Sequence, residues 1–151
     1  MDNEHSNVSG AQSDLDAAYR ATRYVVESVQ GDIVIRIDQP TPALDKLLAA
    51  QSHREWAFIS ACNPGSQRLP DQQNVERHAQ LLATVALLGF QSIPGHGIPD
   101  NPGWQPEISL LILGISQDQA TKLAEKFGQN AIVIGNPGLP ARLCYLHGNS
   151  P

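Results

Sequence analysis

Three short stretches of this chain carry polar side chains at spacings from which a site could be built. The first is Ala61-Cys62-Asn63-Pro64-Gly65-Ser66, leading to Asn74 and Arg77. Asn63 and Ser66 offer hydrogen-bond donors and acceptors, and Gly65 lets a ligand come close to the backbone. Asn74 and Arg77 are three residues apart, so they share one helix face in the turns nearest the loop. Arg77 could hold an anionic group, or simply pair with a carboxylate of the chain. Asp71, as the cap of that helix, would place its own carboxylate where a phosphate would sit. The second stretch runs from Gly95-His96-Gly97 through Trp104 to Glu107 and Ser109. Glu107, at the start of a buried strand, could be a general base or the partner of Arg77. Trp104 could cover an apolar ring. His96, between two glycines, reads as exposed, mobile and poorly held, which does not suit a tuned imidazole. The third is Phe127-Gly128-Gln129-Asn130, whose amides could bind a base edge or close open backbone groups at a turn.

What is missing narrows the chemistry. The chain has no GxGxxG, no GxxxxGK[ST], no HExxH and no GxSxG. His5, His53, His78, His96 and His147 lack metal-ligand spacing, so no metal and no cofactor is expected. Cys62 follows a buried strand with no base beside it and reads as a core thiol. Cys62 and Cys144 lie in apolar runs without CxxC spacing, which points to reduced, mostly buried thiols in a cytoplasmic protein.

The elements that must position these residues follow from periodicity. Residues 1–13 form a polar tail expected to be disordered. Ser13 caps a helix in which Leu15, Ala18, Thr22, Val25, Val26 and Val29 keep a helical period up to Gly31. Ile33 to Ile37 is a β-branched strand, and Thr41-Pro42 starts a helix with Leu44, Leu47 and Leu48 inward. Trp56 to Cys62 is apolar almost throughout and reads as a central strand. Asp71 caps a helix to Leu88 whose buried stripe is Val75, Ala79, Leu82 and Ala86. Phe90 to Pro94 is a short strand, Gly95 to Pro106 a loop, and Ile108 to Ile115 a buried strand. Ser116 and Gln119 form a capping box for a helix ending at Gly128. Ala131 to Ile134 and Ala141 to Leu146 are strands, and residues 148–151 a short tail. The pattern predicts one α/β domain over residues 14–147, with a mixed sheet of about six strands flanked by helices.

Composition agrees with a single folded unit. The chain has 151 residues, 41% of them hydrophobic, and carries a formal net charge of −5. A chain of that length can bury roughly 70% of its unfolded surface without staples. Its ten basic residues are scattered, so no nucleic-acid partner is expected. The apolar run from Leu110 to Ile115 is too short to span a bilayer, and the polar N-terminus has no signal-peptide core.

Trp56-Ala57-Phe58-Ile59-Ser60-Ala61, Asn63-Pro64-Gly65-Ser66, Asn74, Arg77, Trp104, Glu107 to Gly114 and Phe127-Gly128-Gln129-Asn130-Ala131-Ile132 together resemble one family. The chain is similar, from about Tyr19 to Leu143, to bacterial members of the domain-of-unknown-function family numbered 3293. That family often has Thr-Ala before its Asn-Pro, where this chain has Ser60-Ala61-Cys62. The resemblance transfers no activity. It implies that these segments act as one group at element junctions. The reading is therefore a domain binding a small polar or nucleotide-like metabolite, with a small anionic or nucleotide-like molecule as the expected partner, at a cleft of Asn63, Ser66, Asn74, Arg77, Trp104, Glu107 and Gln129. Glu107 is the catalytic candidate should there be a reaction. The alternative is a non-enzymatic interaction or regulatory module, in which the same polar groups only lock loops together.

Overall fold

The computed structural model describes residues 13–146, so the tails expected at 1–13 and 148–151 lie outside the described residues, except that Ser13 is already helical. The elements are α1 (residues 13–20), β1 (Thr22–Ser28), β2 (Gly31–Ile35), α2 (Pro42–Ala50), β3 (Trp56–Ser60) and α3 (Asp71–Leu87). They continue as β4 (Gln91–Pro99), β5 (Glu107–Leu113), α4 (Gln117–Lys126), β6 (Ala131–Gly135) and β7 (Arg142–Tyr145). The expected α/β domain is present. Its single sheet has seven strands in the order β2-β1-β4-β5-β3-β6-β7. Every ladder is antiparallel, and parallel pairing is confined to one bridge between Ile37 and Ala141.

Alternation along the strands builds two cores. Ala57 and Ile59 of β3, Leu110 and Ile112 of β5, and Ile132 and Ile134 of β6 pack under Leu81 and Val85 of α3 and under Ala120, Leu123, Ala124 and Phe127 of α4. On the other face, Tyr24, Val26, Ile33, Ile35, Trp56, Phe58, Leu111, Leu113 and Val133 pack under Leu44 and Leu48 of α2. Tyr19 of α1 joins this second cluster, so helices lie on both faces of the sheet. Trp56 to Ser60 is internal to the sheet, as its apolar run requires.

Three expectations need correction. The helix read from Ser13 to Gly31 stops at residue 20, and Thr22–Ser28 is a strand. Tyr24 and Val26 share the α2 face while Val25 points to the opposite one, so the true period is two, and β-branched residues favour it. Val29, part of the helical pattern, is fully exposed in the turn of the β1–β2 hairpin.

The loop read from Gly95 to Pro106 begins only after Pro99, because residues 95–99 pair with β1 and extend β4. Gly95 is a packing glycine there. A Cβ on it would lie 2.6 Å from the Val25 carbonyl oxygen and 2.8 Å from the Phe58 ring. His96 is consequently fixed on a strand, with Nδ1 against the Glu27 carboxylate, and is neither mobile nor poorly held.

Helix α3 is rotated from its expected register. Asp71 is its first residue rather than its cap, a place Pro70 takes, and the inward residues are Asn74, Arg77, His78, Leu81 and Val85. The expected stripe faces solvent, with Val75 59% and Leu82 46% exposed. Polar Asn74 and Arg77 occupy the inward face because the sheet end beneath them offers backbone groups rather than apolar side chains.

Candidate functional site

All three polar stretches converge at one end of the sheet. β3 stops at Ser60, whose hydroxyl accepts the Cys62 amide at 3.0 Å and donates to the Ile108 carbonyl at 3.3 Å. The chain then turns through Asn63, which is left-handed at φ +50°. Asn tolerates that region better than most side chains. Its side chain is fully engaged. Oδ1 accepts the Leu69 amide and the Asn74 Nδ2, both at 2.9 Å, and Nδ2 donates to the Glu107 carboxylate at 2.7 Å. The Asn63 amide donates to Asn74 Oδ1 at 3.0 Å, and its carbonyl accepts the Ser66 amide. Two asparagines eleven residues apart thus hold the loop against the first turn of α3.

The turn after α4 closes over the same loop. The Gly65 amide donates to the Gly128 carbonyl at 2.8 Å, and Asn130 Nδ2 donates to the Ser66 hydroxyl. Gln129 Nε2 reaches the Cys62 and Phe127 carbonyls at 3.1 and 3.2 Å. Gly128 is left-handed at φ +69°, and a Cβ there would lie 2.9 Å from Pro64.

Glu107 opens β5 and shares the strand face of Ser109, Leu111 and Leu113, which is the α2 side. Burial pushes its carboxyl up, and the hydrogen bond from Asn63 opposes that rise. Tyr19 lies close enough to feel it: its hydroxyl is pushed up to about 12, first by burial and then by the Glu107 charge. Burial also raises the Cys62 thiol, whose Sγ points to the Ile108 carbonyl at 3.6 Å. A thiol held neutral in this way is not a nucleophile. Both cysteines are free, Cys62 buried and Cys144 partly so.

Arg77 turns to the opposite face. Its Nε donates to the Ala61 carbonyl at 2.6 Å, its Nη2 donates to the Phe127 carbonyl, and its guanidinium lies 6.0 Å over the Phe127 ring. Among the described residues no carboxylate stands within ion-pair distance of it. It lines a groove of about 360 Å³ between α3 and α4, together with Gln80, Ala83, Thr84, Lys126 and Phe127.

The structure therefore brings Asn63, Ser66, Asn74, Glu107 and Gln129 into one network, with Arg77 on its far side. The groove is lined by Arg77 and not by Glu107. Trp104 is 67% exposed in the β4–β5 loop. Sequence reasoning alone overlooks Tyr19, Gln80, Thr84 and Lys126. Arg77, Gln80 and Thr84 recur at helical spacing, and that polar ridge was the available signal. Among the described residues no cluster of three or more His, Cys, Asp or Glu could hold a metal ion.

The fold and the site define a small α/β domain in which one end of an antiparallel sheet is closed by an amide network and flanked by a cationic groove. Residues 59–132 match the model of the family described as protein of unknown function (DUF3293), the family that the sequence motifs resemble. The matched stretch contains every candidate residue from Asn63 to Gln129. No curated protein and no solved structure matches the chain. No helix among the described residues is long and apolar enough to cross a membrane.

Proposed function

We propose that this domain binds a small anionic, nucleotide-like metabolite in the α3–α4 groove, with Arg77 and Lys126 holding the anionic group. The observation that carries this reading is the state of Arg77. Two backbone carbonyls fix its Nε and Nη2, while Nη1 has no protein partner among the described residues. A cation fixed in place without a counter-ion loses little freedom when an anion arrives. Lys126 adds a second positive charge, no acidic residue lines the groove, and Gln80 and Thr84 offer further polar contacts. Its volume falls in the range of small-molecule sites. In this reading the Asn63–Asn74–Glu107 network positions the Ala61 carbonyl that aims Arg77, and it does not touch the ligand. The free thiols fit a reducing, cytoplasmic setting.

The test is a thermal-shift titration of the wild type and Lys126→Gln with inorganic phosphate, nucleoside monophosphates and dicarboxylates. Lys126 is exposed, so its replacement leaves the fold intact. A ligand at 100 times its dissociation constant adds about 2.7 kcal/mol, a rise of roughly 5–10 °C for a domain of this size. The shift should shrink at least threefold in Lys126→Gln at equal ligand concentration. A panel that moves neither protein, or moves both equally, overturns the proposal.

A further inference from the structure

One side chain of α3 sits where its own chemistry is poorly served. His78 is on the inward side of the helix, one turn beyond Asn74, where α3 packs against β4 and β5. The ring is half-buried, and its Nδ1 is sealed from water with no hydrogen-bond partner, the single such side-chain atom among the described residues. Buried polar atoms without partners are rare in folded proteins and call for an explanation. With its one proton on Nε2, a neutral imidazole leaves only a lone pair at Nδ1, and that is the form this place tolerates. An imidazolium carries an N–H on both nitrogens, so acid puts a donor and a charge where no acceptor stands.

The groups around the ring do not supply one. The sheet face toward α3 carries Ser92, Pro94 and His96 from β4, and their partners Ile112, Leu110 and Ile108 from β5. His96 is the titratable one, and its Nδ1 stands 2.5 Å from the Glu27 carboxylate of β1. Glu27 is thereby turned to His96, and among the described residues no ion pair or hydrogen bond joins it to His78. Arg23 of β1 and Asp32 of β2 share that face, but Arg23 lies toward Asp100 at 3.9 Å, and β2 is separated from β4 by β1. On α3 itself, Asp71 is nearly two turns away and Glu76 points to the other side of the helix. Arg77 is spent on the Ala61 and Phe127 carbonyls, and Lys126 of α4 lines the groove on the Arg77 flank.

The electrostatics agree with the geometry. Burial holds the His78 ring below its ordinary 6.5, and the charge of His96 lowers it further. A base lowered in the fold binds its proton more readily once its surroundings open, so acid favours the opened state. The opening that relieves His78 need only be local. The outer stripe of α3 is already in water, with Val75 59% and Leu82 46% exposed, and its buried residues are Leu81 and Val85. Helix α4, by contrast, is fastened by a capping box and buries Ala120, Leu123 and Ala124. Elements with fewer buried contacts open independently of the rest.

We propose that the seam between α3 and β4 is an acid-sensitive latch, in which a proton on His78 frees α3 from the sheet while α4 stays in place. The inference stands apart from the ligand reading, although the helix that loosens is the one that carries Arg77. The test is hydrogen exchange read by mass spectrometry on the unliganded protein at about pH 7.5 and about pH 5.5, with exchange times scaled for the intrinsic rate. It compares the wild type with His78→Leu and His78→Gln. At one pH unit below the ordinary 6.5, the gain in α3 opening has a ceiling of about tenfold. Wild-type α3 peptides should therefore lose about three- to tenfold in protection relative to α4 peptides. Both variants, which take no proton there, should show no such difference. Imidazole NMR of the wild type reads the His78 ring directly and needs no variant. Protection of α3 that is equal at the two pH values overturns the proposal, as does an equal loss in α3 and α4. So does a loss that persists in both variants, or a His78 ring that titrates at or above 6.5 in the folded wild type.

Discussion

Asn63 concentrates more of the fold's logic in one side chain than any other candidate residue, and replacing it with alanine gives a quantitative test. The variant loses the acceptor for the Leu69 amide and for Asn74 Nδ2, and the donor to Glu107. Each partly buried group left unsatisfied costs about 1–3 kcal/mol, with the lower half of that range suiting a half-exposed site. Alanine must also hold the left-handed φ of +50°, at roughly 1 kcal/mol. The expected total is at least about 4 kcal/mol, a large share of the 5–15 kcal/mol typical of a domain. Glycine at the same position loses the same hydrogen bonds without the backbone strain, so Asn63→Gly should be about 1 kcal/mol more stable than Asn63→Ala. Urea denaturation followed by circular dichroism measures both, and the alanine variant should melt about 10 °C below the wild type. A loss below about 1 kcal/mol in Asn63→Ala, or equal losses in the two variants, would refute the lock as described.

Glu107→Gln removes a carboxyl whose folded pKa lies above its ordinary value, chiefly through burial. A raised acid favours folding below its unfolded pKa, and that contribution is lost as pH climbs through the folded value. The wild type should therefore lose stability as pH rises from the ordinary carboxylate range through the raised folded value of Glu107, and the variant should show a flatter profile in urea titrations across that window. Gly95→Ala forces a Cβ against the Val25 carbonyl and the Phe58 ring, with backbone on one side. It should cost at least about 1–3 kcal/mol, whereas Gly103→Ala, whose nearest neighbour is Asn101 Oδ1 at 3.4 Å, should melt like the wild type.

Periodicity describes the buried half of the molecule well and the first strand badly, for one physical reason. Where a strand is apolar on both faces, as in Trp56–Ser60 and Glu107–Leu113, either register buries apolar side chains and the assignment does not depend on which one is chosen. Around Thr22–Ser28 the residues at 22, 25, 26 and 29 match a helical spacing as well as a strand, and the hairpin turn that decides the matter has no Asn-Gly signature. Losing β1 then hid the second half of β4. Gly95 and Gly97 look like loop residues until a neighbouring strand approaches them within van der Waals contact.

The candidate site was legible as a set of junction residues, because turn chemistry and helix spacing alone bring Asn63, Asn74 and Arg77 near one another. Its division into a lock and a groove was not, because that depends on which face of α3 points inward. An apolar stripe is normally the buried one, so Val75, Ala79, Leu82 and Ala86 took precedence over Asn74, Arg77, Leu81 and Val85. The structure reverses that order for its first two turns: the sheet end there presents the Ala61 and Phe127 carbonyls to Arg77 and the Asn63 amide to Asn74, groups that only polar side chains can satisfy. Burying Val75 instead would leave those groups without partners, a heavier cost than leaving one valine in water. The polar requirement at the sheet end therefore sets the rotation of the whole helix. The same rotation aims Arg77 at the groove and turns the apolar stripe outward, so the groove and the uncovered flank are two consequences of one packing decision.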